Sequence, residues 1–225
     1  KRKGAFQMTN KVALIVGPGH AGLGEALANR YGQKGYTIAL LGRNPDPLND
    51  LVKTLTASNI SAFSVTADLA SPASVSNALK EIAQKGDLQV VLYTATMRTK
   101  NKPADLTSDL LTESLASNLL GAVTVTNLAL PYVKKTGDGV FLYTGSIVAA
   151  KPGTSDVEQS IGKAGLHSYV IALNKELSKS GVFAGIVTIN TYIRKGKPGH
   201  MDPNIIAKAF EDLGNDKKAA EVQYH

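Results

Sequence analysis

Short apolar runs alternate with helical stretches along almost the whole chain, and that alternation narrows the fold more than any other feature. The runs are Lys11–Gly17 (KVALIVG), Tyr36–Leu41 (YTIALL), Ile60–Thr66 (ISAFSVT), Leu88–Thr94 (LQVVLYT), Gly139–Thr144 (GVFLYT) and Val182–Ile189 (VFAGIVTI). Near-continuous apolar character over so few residues fits strands covered on both faces. Helices are expected between them, over Gly24–Lys34, Asn49–Ala57, Ser71–Lys85, Ser108–Lys134, Asp156–Lys179 and Pro203–Leu213, with Glu221–Tyr224 as a closing strand. The helix after the first run carries Leu23, Leu27, Ala28 and Tyr31 on one face, and Gly35 ends it. Ser71 is a good N-cap, with Pro72 at the first helical position. Strands separated by helices pair in parallel, with helices on both faces. The expectation is therefore an α/β fold, a doubly wound parallel sheet of the Rossmann type in one three-layer domain. It would span 8–225, with 1–7 a tail or expression remnant before Met8.

Composition removes several functions. At 225 residues the chain can bury a full core without covalent staples, and it has no cysteine. A zinc–thiolate site, a thiolate nucleophile and a disulfide scaffold are excluded. His20, His167, His200 and His225 show no metal-ligand spacing, and none forms an evident triad with Ser146. No run is long and apolar enough to cross a bilayer, and no signal-peptide pattern is visible, so a cytoplasmic location and no membrane partner are expected. The net charge is +7, but Lys1, Arg2 and Lys3 carry three of those charges. Without a dense basic helix or aromatic-interleaved patch, nucleic acid is not an expected partner.

The first strand runs into a glycine-rich turn, Gly17, Gly19, Gly22 and Gly24, with His20 inside it and Leu23 at its end. Such spacing lets backbone approach a pyrophosphate, while the following helix offers free N–H groups and the positive end of its dipole. After the second strand, an acidic residue would grip a free ribose and a cation a 2′-phosphate. Here Leu41-Gly42 leads to Arg43, with no carboxylate before Asp46, which favours NADP(H) over NAD(H).

With these residues in view, the chain resembles the short-chain dehydrogenase/reductase family from about Lys11 to Tyr224. Gly17-Pro18-Gly19-His20-Ala21-Gly22-Leu23-Gly24 is similar to the family's TGxxxGxG, with one extra residue and no threonine. Asp68-Leu69 matches the family's adenine-contacting pair, although an acid there also suits a simple loop cap. The resemblance implies catalytic roles for Asn118, which would help hold a proton-relay water, and for Ser146, which would orient a substrate carbonyl. It implies that Lys163 binds the nicotinamide ribose and lowers the pKa of a tyrosine four residues earlier. That position holds Gln159. A second departure is Tyr93-Thr94-Ala95-Thr96, where the family has NNAG. Thr94 and Ala95 remain cofactor-side candidates. The resemblance also implies a homo-oligomer, a dimer or tetramer.

Spacing of four places Gln159 and Lys163 on one helix face. A neutral amide donates a hydrogen bond but delivers no proton near neutral pH. Among tyrosines that could take over, Tyr192 is preferred to Tyr93 and Tyr143. The expected function is an atypical NADP(H)-dependent oxidoreductase that passes hydride to a small carbonyl, imine or activated alkene. The alternative is a dinucleotide-binding sensor or partner subunit without turnover. Arg43, the Arg98–Lys100–Lys102 loop and the Arg194–Lys195–Lys197 loop suggest an electropositive mouth that would draw a phosphorylated cofactor and an anionic small-molecule substrate. The segment from Thr191 to Asp202, with Gly196, Pro198 and Gly199, reads as an open loop with no helical lid.

Overall fold

The computed structural model describes residues 10–19 and 22–225; the tail 1–7 and His20 lie outside them. Seven strands form one all-parallel sheet, in the order β3-β2-β1-β4-β5-β6-β7. They are β1 Lys11–Val16, β2 Thr37–Gly42, β3 Ala62–Thr66, β4 Asp87–Tyr93, β5 Gly139–Ser146, β6 Val182–Ile189 and β7 Glu221–Tyr224. The helices are α1 Leu23–Gln33, α2 Pro45–Ala57, α3 Pro72–Ala83, α4 Ser108–Leu115, α5 Gly121–Lys134, α6 Val157–Leu177 and α7 Pro203–Asp216.

Successive strand residues face opposite sides, so the apolar runs feed two cores. Val12, Leu14 and Val16 pack with residues of α3, α5 and α6, whereas Ala13 and Ile15 pack with α1, α2 and α7. This is the doubly wound three-layer arrangement, and its strand order turns outward in both directions from the β1–β4 pair. A crevice at the carboxyl ends of the strands follows from that reversal.

Three differences from the expected elements bear on the site. Helix α2 starts at Pro45 instead of Asn49, because proline is compatible with a first helical turn. Strand β5 runs on to Ser146, which pairs with Ile189 on the last rung, so the strand end itself fixes Ser146. The single helix expected over 108–134 is broken by a π-helical turn at Ala116–Leu120. There the Tyr93 hydroxyl donates to the Ser117 carbonyl at 2.6 Å, drawing on an oxygen that a regular helix would use itself. At Gly162 of α6, an added Cβ would stand 2.5 Å from the Asn118 Cβ, so glycine lets α6 close on the π turn.

Candidate functional site

The glycine turn between β1 and α1 needs glycine for two separate reasons. Gly17, Gly19 and Gly22 have φ of 67°, 62° and 87°, conformations that side chains disfavour. A Cβ on Gly17 would also lie 2.5 Å from that of Ala95, and one on Gly24 would lie 2.3 Å from the Pro18 carbonyl oxygen. At Gly19, in contrast, an added Cβ meets only the Gly17 oxygen among the described residues, at 3.7 Å. The turn is thus tight below and open above. That is the shape a pyrophosphate requires, and a nicotinamide dinucleotide fits the residues present. Leu23 is buried among the residues of the α1 face and lines none of the clefts, so only its backbone is available at the helix start.

Two clefts flank this turn. One, of about 390 Å³, is bordered by Gly17, Gly19, Gly22, Arg43, Asn44 and Lys195. The other, of about 740 Å³, holds Gly17, Gly19, Arg43, Asp68, Leu69, Thr94 and Ala95. Arg43, exposed just after β2, stands on both. The Asp68 carboxylate accepts the Ala70 N–H at 3.0 Å, the loop cap that its position also suggested, while Asp68 still borders the cleft. Thr94 has turned inward: its hydroxyl lies 3.0 Å from the Val16 carbonyl and 2.7 Å from that of Gly17. It ties the end of β4 to the glycine turn.

A third cleft, of about 500 Å³, adjoins the second through Thr96 and Arg98, and brings together Ser146, Gln159, Lys163 and Tyr192. The Gln159 amide donates to the Thr96 hydroxyl at 3.2 Å, and Thr96 donates to the Asn118 Oδ1 at 2.9 Å. Asn118 is fully buried and spends both amide hydrogens, on Met97 O and Ser114 Oγ, while its oxygen also accepts the Met97 N–H. Its side chain therefore has no free capacity for a relay water and pins the π turn to the loop after β4. The Lys163 ammonium is 2 % exposed and donates to the Thr144 carbonyl at 2.8 Å. Burial lowers its pKa to about 8.

The tyrosines separate cleanly. Tyr93 and Tyr143 are buried in the core, with hydroxyls on Ser117 O and Thr126 Oγ1, and burial drives both pKa values upward. Neither reaches the cleft. Tyr192 does, 62 % exposed, with the Arg194 guanidinium 5.6 Å from its ring centre.

Sequence reasoning missed two buried carboxylates at the start of α6. Asp156 accepts from Arg98 Nε at 2.7 Å, and Glu158 accepts from the Thr99 N–H at 2.6 Å and from the Asn101 amide. Burial alone would raise the Glu158 pKa; these hydrogen bonds outweigh it and the net shift is downward. The signal was available in an acidic helix start facing a basic, polar loop. The same pairs revise the electropositive mouth: Arg98 is matched by Asp156 and Lys195 by Glu25, while Lys100, Lys102 and Lys197 line none of these clefts. The Thr191–Asp202 loop carries no helix and is held by Lys195–Glu25 and by the Tyr224 hydroxyl on His200 O. Among the described residues there is no histidine–carboxylate cluster able to hold a metal and no helix long and apolar enough to cross a membrane.

The family model of the short chain dehydrogenases matches residues 11–207, covering the sheet, the glycine turn and all three clefts. The chain belongs to the short-chain dehydrogenase family. As a short-chain dehydrogenase it is an oxidoreductase by descent, of a family that uses a nicotinamide dinucleotide. An uncharacterised oxidoreductase of Staphylococcus aureus strain USA300 is 29 % identical over 218 residues, covering 96 % of this chain and 87 % of the relative. An alcohol dehydrogenase of the archaeon Thermococcus sibiricus, solved with 5-hydroxy-NADP, superposes with a TM-score of 0.83 at 25 % identity, covering 95 % of each chain. A short-chain oxidoreductase of Pseudomonas aeruginosa PAO1, solved with NADPH and described as having an atypical catalytic center, gives 0.85 at 17 % identity over 94 % of each chain, a likeness of fold alone.

Proposed function

We propose that this short-chain dehydrogenase is an NADPH-dependent reductase of small carbonyl compounds, imines or activated alkenes that works without the family tyrosine. The observation that carries the reading is the cleft where Ser146, Gln159 and Lys163 meet, opening through Thr96 and Arg98 onto the groove beside the glycine turn. When bound there, the dinucleotide supplies hydride chemistry. Backbone N–H groups of the turn at Gly19 and Gly22 would hold the pyrophosphate, the Gly17 N–H being donated to the Leu41 carbonyl beneath it. Arg43 would hold the 2′-phosphate, Asp68 and Leu69 the adenine side, and Lys163 the nicotinamide ribose. Thr94 and Ala95 support the turn from below. Ser146 polarises the acceptor oxygen by donating a hydrogen bond. Gln159, held against Thr96, orients the acceptor and moves no proton.

The NADP preference also draws support from the Thermococcus enzyme, which was solved with an NADP derivative. By family likeness the protein assembles as a dimer or tetramer, and Leu120 and Ile161, 52 % and 40 % exposed on the π turn and α6, are apolar surface suited to such a contact. The engagement of Gln159 by Thr96 favours a second reading, a dinucleotide-binding sensor without turnover. Fluorescence titration with NADPH and NADH, followed by 2,3-butanedione and an activated enone, separates the two. Tight NADPH binding with oxidation supports the reductase; tight binding without oxidation of any acceptor supports the sensor.

A further inference from the structure

Reduction of a carbonyl requires a proton as well as a hydride, and the reductase reading leaves the proton without a source. Of the groups on the cleft, Ser146 and Gln159 are neutral and poorly acidic, and Arg98 does not give up its proton in water. Asp156 is engaged by Arg98. Tyr93 and Tyr143 are sealed in the core, away from the cleft. Among the described residues on the cleft two candidates remain, Lys163 and Tyr192.

Their settings differ. Tyr192 stands on the exposed loop after β6, beside Arg194. Lys163 reaches the cleft from inside the molecule. Of its three N–H bonds one goes to the Thr144 carbonyl and one, in the proposed complex, to the ribose, which leaves one for the acceptor. Thr144 lies two residues before Ser146 on β5, so the ammonium sits under the strand end that presents the serine. Among the described residues it has no close anionic partner. Asp156 at the start of α6 faces Arg98, Glu158 faces Thr99 and Asn101, and His167, one turn beyond Lys163, faces Glu221 of β7. On β4 and β5 the buried titratable side chains are Tyr93 and Tyr143, both neutral, and Asp87 lies exposed at the amino end of β4, opposite the strand end at the cleft.

We infer that Lys163 is the proton donor of this enzyme, taking the place of the tyrosine that Gln159 has replaced. The inference rests on the reductase reading. In the step, the carbonyl carbon gains a hydride with both its electrons from the reduced dinucleotide, and the π pair moves onto oxygen. The oxygen then takes the proton from the Lys163 ammonium, whose N–H bond breaks, and the resulting amine is reprotonated by water. A desolvated ammonium suits this task, since burial weakens its hold on the proton.

The test uses the full chain with ¹⁵N-labelled lysine, and Lys163→Arg both assigns the Lys163 signal and removes the acid. Arginine keeps a positive charge for the ribose but yields no proton in the working range. One Nζ signal, lost in the variant, is expected to titrate near pH 8. With NADPH and 2,3-butanedione, wild-type kcat should fall above that pH. Lys163→Arg should be slower by about tenfold to a hundredfold, the usual scale of acid catalysis. The fall with pH should vanish, with kcat read at saturating NADPH because Lys163 also contacts the ribose in the proposed complex. Lys163 titrating with the surface lysines, or Lys163→Arg keeping the wild-type rate and pH profile, would overturn the assignment. So would loss of the pH dependence in Tyr192→Phe instead. If wild-type protein binds NADPH but oxidises it with no acceptor, the reductase reading itself fails, and this role with it.

Discussion

The two halves of the strand-end crevice follow different rules. Around β1, β2 and β3 the bare glycines and the local charge suit a dinucleotide: positive φ in the turn, an uncrowded Gly19 among the described residues, and Arg43 ahead of the first carboxylate after β2, Asp46. Around β4, β5 and α6 the frame is retained but its polar groups have been rewired. Thr94 holds the turn, Thr96 takes up Gln159, and Asp156 and Glu158 strap α6 to the loop after β4. The two sides of one crevice thus depart from the family pattern to different degrees. A fold alone would not have distinguished them.

The largest effect expected from breaking this contrast is at the glycine turn. Gly17→Val combines a disfavoured φ with a collision against Ala95, at a cost of about 3 kcal/mol, so NADPH binding should weaken more than a hundredfold in a fluorescence titration. Retained affinity would show that the turn does not hold the cofactor.

On the other side, Lys163→Met should stabilise the apo protein. The folded-state pKa lies below the ordinary lysine value, so the unfolded chain binds more protons between about pH 8 and 10.5. Wild-type stability contributed by this group is therefore lowest below pH 8 and rises through that window. At pH 7 the variant should gain about 2–3 kcal/mol by urea unfolding, the gain disappearing above pH 10.5. No gain at pH 7 would mean that the ammonium is solvated.

A smaller effect is expected at the rim. Arg43→Asp removes a charge-assisted contact and adds repulsion, costing NADPH about 2 kcal/mol while sparing NADH. An equal loss for both nucleotides would place Arg43 outside the 2′-phosphate site. The smallest is Thr94→Val, which deletes the hydroxyl shared by Val16 O and Gly17 O; a loss of about 1 kcal/mol should appear as a lower Tm with NADPH affinity little changed.

The same contrast explains what was legible in the sequence. Alternating runs gave the parallel sheet, and β7, a short strand at the edge, was found with the rest, because buried strands and amphipathic helices leave local patterns. Glycine positions and Arg43 were legible because backbone geometry and charge act locally. The π turn was not: it depends on a tyrosine hydroxyl of β4 meeting Ser117, far away in sequence. Nor was the engagement of Asn118, whose partners lie on Met97 and Thr96, or the pairing of Arg98 with Asp156. Long-range polar contacts leave no period to read. Tyr143 stands three residues before Ser146 on β5, and strand alternation turns it into the core.

The most direct test of the account follows NADPH in one sample, first on binding and then on addition of 2,3-butanedione. The account predicts tighter binding of NADPH than of NADH, and slow oxidation that weakens above pH 8. Binding without oxidation of this or any other acceptor would contradict the reductase, and failure to bind either nucleotide would contradict the account of the glycine turn.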